Sequence, residues 1–133
     1  MRKIKFRAYR AVYGDDNLPV MTKPFTLGNL QDKEDFDFTN GSYASWNEFG
    51  LEHEDTVVMQ FTQLVDKNNV EIYEHDIINH PLVKGTVEVV WYNGCWCIKG
   101  VKGGICSIYD DAPTTNYSWE VIGNSLENPE LIK

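Results

Sequence analysis

Asn93-Gly94 separates two runs rich in β-branched and aromatic residues, TVEVVWY before it and CWCIKGV after it, over residues 86–101. A two-residue turn of this kind tolerates positive φ and matches the twist of paired strands, so it folds the flanking runs into a hairpin. The turn also sets the register: Tyr92 opposes Cys95, Trp91 opposes Trp96, Val90 opposes Cys97, Val89 opposes Ile98 and Glu88 opposes Lys99. Side chains alternate between faces along a strand, so Val87, Val89, Trp91, Trp96 and Ile98 share one face. A cross-strand tryptophan pair there contributes about 0.5–1 kcal/mol beyond its area burial. The other face carries Glu88 and Lys99 as an opposite-charge pair. The apolar face of such a hairpin needs more sheet to cover it.

The rest of the chain supplies that sheet. Residues 3–9 alternate, with Ile4, Phe6 and Ala8 on one side and Lys3, Lys5 and Arg7 on the other, the pattern of a half-buried strand. Gly14-Asp15-Asp16-Asn17 reads as a turn. VVMQFTQL at 57–64 is a strand, Asp66-Lys67-Asn68-Asn69 a tight turn, and Val70 to Tyr73 the returning strand. Ile77 and Ile78 begin another extended piece that Pro81 ends or places at an edge. Gly103-Gly104 makes a further turn, Ile105 to Tyr109 a short strand, Asp110 to Asn116 a loop, and Trp119 to Ile122 a last strand. The tail SLENPELIK has room for one helical turn around Pro129. Residues 18–56 are irregular: Pro19 and Pro24 break any helix, and Asn40-Gly41 suits a turn between short strands. This stretch is read as an insertion with one hairpin or a short helix. The expectation is seven to nine strands, little helix and an all-β fold. With 133 residues, 42% hydrophobic and 13% aromatic, the chain can bury a core without disulfide or metal.

VVMQFTQLVDKNNVEIYEHDII, residues 57–78, resembles a pattern of the YopX-like phage and prophage proteins, read as "MQ-[YF]-TGL-x-D-x-NG-x-x-IYEGDI". IKFRAYR near the N-terminus is similar to that family's opening "KFRAWD" strand, and VIGNSLENPELI, residues 121–132, to its closing "VIGN-x-x-ENPEL". The three anchors keep their order and cover about a third of the chain. The chain departs from the pattern at Gln63, Asn69 and His75, where the family has glycine. Each is a turn or strand-end position at which glycine eases a positive φ. Asn69 bears such a φ and His75 less easily, so either the backbone differs there or strain is stored. The resemblance implies a phage-encoded accessory protein of unknown biochemical role, with no enzymatic activity, cofactor or catalytic residue to carry over. The strand order with its IYE-x-D and G-T-V-x-V-x-W segments also resembles the core of a small, partly open SH3-like barrel. The expected layout is a single domain over 1–133. In it, 1–56 form an N-terminal strand with an irregular acidic insertion, 57–123 the SH3-like core and 124–133 the tail.

Chemistry-bearing residues are few. Cys95 and Cys97 share a strand face, with Cα atoms ~7 Å apart, too far for an easy disulfide. With Cys106, His75, Asp76 and His80 they lack the paired spacing of a structural zinc site. Cys106 with His80 carries no nucleophile signature. Asp76 is expected to hydrogen-bond a turn rather than to act as an acid or base. Gly100 to Gly104 lacks the context of a phosphate loop. No cofactor and no metal are expected.

Charge is uneven. Arg2, Lys3, Lys5, Arg7 and Arg10 place five of the twelve basic residues in the first ten positions, while the other 123 residues hold seven basic and all twenty acidic side chains. The first five are the candidate partner surface. The acidic body disfavours nucleic acid, although a small β-barrel that binds single strands is the rival reading. A second alternative is an acidic mimic of DNA, in which residues 32–55 cover a host protein's basic site. The leading expectation is a protein-interaction module whose partner is a host or phage protein or a second copy, the cationic strand of one subunit meeting the acidic surface of another. Three cysteines, an odd number, point to a reducing cytoplasm, and no apolar run is long enough to span a bilayer.

Overall fold

The computed structural model describes residues 4–14, 18–80, 83–92, 94–100, 105–107 and 119–132. Twelve strands and two short helices lie among them; the chain is β-rich as expected, and the count exceeds the expected seven to nine because residues 18–56 contribute four short strands. It falls into two compact units, Met1–Phe61 and Thr62–Lys133. The expected turn at Gly103-Gly104 and loop at Asp110 to Asn116 lie outside the described residues, as do Asp15 to Asn17 and Pro81.

The first unit is built on β1 (Lys5–Tyr13), which pairs antiparallel with β2 (Leu18–Met21), with the two-residue β3 (Phe25–Thr26) and with the first half of β6 (Thr56–Val65). Strand pairing on both edges explains why β1 is not simply half-buried: Ala8, Tyr9 and Arg10 are all buried in succession. Residues 18–56 contain a hairpin and two short helices. Helix α1 (Leu27–Gln31) starts at a capping box, in which the Asn29 N–H donates to the Thr26 hydroxyl and the Thr26 N–H to the Asn29 side chain. Strands β4 (Phe36–Asp37) and β5 (Tyr43–Ala44) flank the expected Asn40-Gly41 turn, where the Asn40 side chain accepts from the Ser42 N–H at 3.0 Å. Helix α2 (Trp46–Phe49) is capped by Ser45 and stopped at Gly50, whose φ of 65° is left-handed. The two-residue strands persist because one residue of each is buried: Phe25 in β3, Phe36 in β4 and Ala44 in β5. Phe25, Phe36, Phe38 and Phe49 form a core with Ala8, Val20 and Ala44, and successive rings meet at 5.1–5.5 Å in tilted or edge-on contacts.

The second unit takes the far half of β6 and adds β7 (Glu71–Tyr73), β8 (Asp76–His80), β9 (Val83–Tyr92), β10 (Cys95–Gly100), β11 (Ile105–Ser107) and β12 (Glu120–Asn124). The sheet order is β11-β10-β9-β8-β12, with antiparallel neighbours. The β9–β10 register agrees with the reading from Asn93-Gly94 at every rung, from Cys95 opposite Tyr92 to Lys99 opposite Glu88. Trp91 and Trp96 meet edge to face at 4.9 Å. Val87, Val89, Trp96 and Ile98 enter a core with Ile72, Ile78 and Trp119, while Trp91 stays 54% exposed. The Glu88 carboxylate does not stay on the rung with Lys99 alone. It lies 2.9 Å from His75 Nδ1 and accepts from the Ser125 hydroxyl at 2.9 Å. A single 3₁₀ turn, Pro129–Ile132, closes the tail around Pro129.

The three positions where the family-like pattern has glycine are all left-handed: Gln63 at φ 76°, Asn69 at 66° and His75 at 72°. The backbone is therefore the one glycine would favour, and the strain of a side chain in that region is stored.

Two stability measurements follow. Trp96→Ala is expected to lower the unfolding free energy by about 3–5 kcal/mol, and Trp91→Ala by about 1 kcal/mol, the loss of the ring pair alone. Equal costs in urea titrations would contradict the sidedness of the hairpin. Asn69→Gly is expected to change stability by less than about 0.5 kcal/mol, because asparagine already tolerates the left-handed region.

Candidate functional site

Arg2 and Lys3 lie outside the described residues. Lys5 is half-buried, with its ammonium 5.2 Å from the Phe61 ring centre, and Arg7 is half-buried as well. Arg10 is only 7% exposed. Its guanidinium donates to the Phe49 carbonyl, to the Gly50 carbonyl at 3.0 Å and to the Thr56 hydroxyl at 2.7 Å. It also lies over the rings of Phe49 and Tyr13, at 4.9 and 5.3 Å. Arg10 thus ties α2 and β6 to β1 from inside and adds no charge to an outer surface. Alternation carried the signal for this: Arg10 has the same parity as Phe6 and Ala8, the inward side of the strand.

The acidic stretch turns outward. Asp32, Glu34, Asp35, Asp37, Glu48, Glu52, Glu54 and Asp55 are all exposed, and Lys33 is the one lysine or arginine between residues 32 and 55. Asp35 and Asp37 alternate with the buried rings of Phe36 and Phe38, and Glu48 adjoins that of Phe49, so the aromatic core sets where these three carboxylates stand. Burial first, and then the Glu48 carboxylate 3.5 Å from its hydroxyl, push the Tyr13 pKa up, so Tyr13 keeps its proton. An open pocket of about 120 Å³ is lined by Lys23, Pro24, Phe25, Asn29 and the 34–37 segment. A second, of about 250 Å³, is lined by Trp46, Asn47, Gly50, Leu51 and Glu52. The exposed acidic stretch of the first unit, with these two hollows, is the candidate functional site.

In the second unit the polar residues of the family-like anchors hold turns. Asp76, 1% exposed, accepts from the Tyr73 N–H at 2.8 Å, as expected of it. Asn124 accepts from the N–H groups of Leu126 and Glu127 and donates to the Glu127 carboxylate. Gly123 is required by close approach, since a Cβ there would stand 2.6 Å from Asn128 Oδ1, an atom that the Asn124 N–H already holds. Asp66 is buried and accepts from Asn68, Val70 and Val121 N–H groups at 2.8–3.0 Å.

Cys95 and Cys97 are free thiols on one face, with sulfur atoms 3.5 Å apart. His75 points to Glu88, and buried His80 packs edge-on against Trp119 at 5.2 Å, so neither imidazole is directed at that pair. Among the described residues no group of three or more histidine, cysteine, aspartate or glutamate side chains is placed to hold a metal ion. The side chain of Cys106 lies outside the described residues, and with it the Cys106–His80 pairing. No helix among the described residues is long and apolar enough to cross a membrane.

The profile of the family described as YopX protein matches residues 5–133. Two solved structures are similar. Protein EF1440 from Enterococcus faecalis is 24% identical, with 98% of each chain covered and a TM-score of 0.56. Protein yopX from Bacillus subtilis is 14% identical, with 100% of each chain covered and a TM-score of 0.54. At these identities the likeness is one of fold. No curated protein is similar enough to count as a match.

The Asp66 arrangement yields a pH prediction. Burial raises its pKa, but the hydrogen bonds from Val121, Val70 and Asn68, helped by Lys67, outweigh that and hold it below the ordinary 3.8. A carboxyl depressed on folding adds stability that is complete above its unfolded pKa and disappears as pH falls through the folded value. Asp66→Asn is therefore expected to cost about 2 kcal/mol or more near neutrality. The gap between wild type and variant should stay constant down to about pH 5 and shrink below that. A gap independent of pH down to 2 would show that the buried charge is not what holds the turn.

Proposed function

The chain belongs to the YopX protein family, and from that premise we propose that it is a protein-interaction module that presents an acidic face to a partner with a basic surface. The observation that carries this reading is the outward placement of eight carboxylates between residues 32 and 55 over an aromatic core. A field of one sign raises encounter rates with an oppositely charged protein and rejects like-charged partners. The same field disfavours nucleic acid, and Arg10, the cation best fixed by the fold, is enclosed by Phe49, Gly50 and Thr56. In this reading the protein is a non-catalytic accessory factor of a phage or prophage, acts in the bacterial cytoplasm and needs no cofactor. A host or phage protein is the first partner. Self-association through the cationic N-terminal strand is weaker support for an interaction, because Lys5 is engaged with Phe61 and Arg10 is internal.

Two experiments test it. Wild-type protein and a variant carrying Glu34→Gln, Asp35→Asn, Glu52→Gln and Glu54→Gln are used to capture proteins from phage-infected host lysate. A partner retained by the wild type, lost with the variant and released by salt is the expected result. Labelled single- and double-stranded oligonucleotides are titrated separately at low salt. Binding at micromolar protein would overturn the acidic-face reading in favour of the nucleic-acid alternative.

A further inference from the structure

The larger hollow on the first unit has a chemistry of its own. Trp46 is half-buried and stacks on Phe36, with ring centres 5.7 Å apart and planes inclined by 19°. Phe36 is fixed in turn by edge-on and tilted contacts with Phe25 and Phe49, so the indole is held from beneath by the aromatic core. Leu51, also packed on that core, forms part of the wall. Glu52 lines the same pocket and is exposed, as are Glu48 and Glu54 near it in sequence.

An aromatic wall beside a carboxylate is the arrangement that recognises a planar cation. A guanidinium stacks on indole and forms two parallel hydrogen bonds to a carboxylate, whereas an ammonium offers a point charge without the flat face. The first unit already holds one guanidinium over rings, that of Arg10 over Phe49 and Tyr13. The surrounding charge decides the occupant: with eight exposed carboxylates and one lysine between residues 32 and 55, the potential at the pocket draws in a cation. We propose that the Trp46–Glu52 pocket seats an arginine side chain from a basic segment of a partner protein. This rests on the reading of the acidic face as an interaction surface and names the group that face selects.

The test uses the full chain, labelled with nitrogen-15, at low salt, with deca-arginine and deca-lysine as probes. The four tryptophans give four indole N–H signals, and Trp46→Phe identifies that of Trp46 while keeping a ring on Phe36. The expected result is that deca-arginine moves the Trp46 signal and leaves those of Trp96 and Trp119 in place. Deca-lysine should bind about threefold more weakly, and Glu52→Gln should weaken deca-arginine by about threefold, the ratio for an exposed cation–aromatic or charged contact of roughly 0.7 kcal/mol. Glu52 is exposed, so its variant carries the test even where Trp46→Phe does not fold. If deca-arginine binds without moving Trp46 and equally well to Glu52→Gln, the pocket is wrong and the acidic face stands. If neither peptide binds, both are overturned.

Discussion

One buried carboxylate joins segments far apart in the second unit. Asp66, 3% exposed, closes the turn between β6 and β7 through the N–H groups of Asn68 and Val70, and holds Val121 of β12 from the other end of the unit. The adjacent Lys67 N–H donates to the Trp119 carbonyl. Together these contacts bring Trp119 to the core, where it is fully buried against Ile72, Ile78 and the inner face of the β9–β10 hairpin. A charge removed from water is costly unless it is met by donors, and here three backbone N–H groups meet it. Without them β12 would keep the Lys67–Trp119 hydrogen bond and the exposed Lys67–Glu120 ion pair at 3.9 Å as ties to the β6–β7 turn, and the tryptophan cover of the hairpin's apolar face would loosen.

The turns of this unit also store strain. Gln63, Asn69 and His75 adopt the left-handed backbone that glycine takes without cost. At His75 something is returned for it: the ring reaches Glu88, whose carboxylate also accepts from Ser125, and the His75 backbone bonds both Val89 and Ser125. The side chain links β8's entry, β9 and the tail, which a glycine could not do.

Charge is arranged by the same inward and outward logic. In the first unit Phe36, Phe38 and Phe49 face the core, Trp46 is half-buried against it, Tyr43 is exposed, and the acids of 32–55 face water. The cation that alternation places inward, Arg10, is satisfied by carbonyls, a hydroxyl and two rings. A short, irregular, strongly acidic stretch thereby becomes a shaped surface, because Phe36, Phe38, Ala44, Trp46, Phe49 and Leu51 pack it on the core.

Period-two alternation and turn chemistry determined the hairpin at 86–100, the β1, β6, β8 and β12 strands and the turns at Asn40-Gly41 and Asp66 to Asn69. These are local rules: a two-residue turn fixes register, and asparagine or glycine marks a positive φ. The resemblance to the YopX-like pattern also marked Gln63, Asn69 and His75 as departures from glycine, and left two readings, a different backbone or stored strain; the structure has the left-handed backbone at all three. What alternation could not supply was which face meets what. Trp91 and Trp96 share a hairpin face, yet only Trp96 is covered, and Glu88 faces Lys99 on the ladder, yet its carboxylate also goes to His75 and Ser125. Arg10 had inward parity, but only the carbonyls at the end of α2 and the Thr56 hydroxyl make an inward cation tolerable. The Trp46 pocket depends on Phe36 stacking beneath an indole ten residues away. Local sequence sets the direction in which a side chain leaves the backbone, whereas its burial, partners and charge environment come from segments distant in the chain, and those only the folded structure brings together.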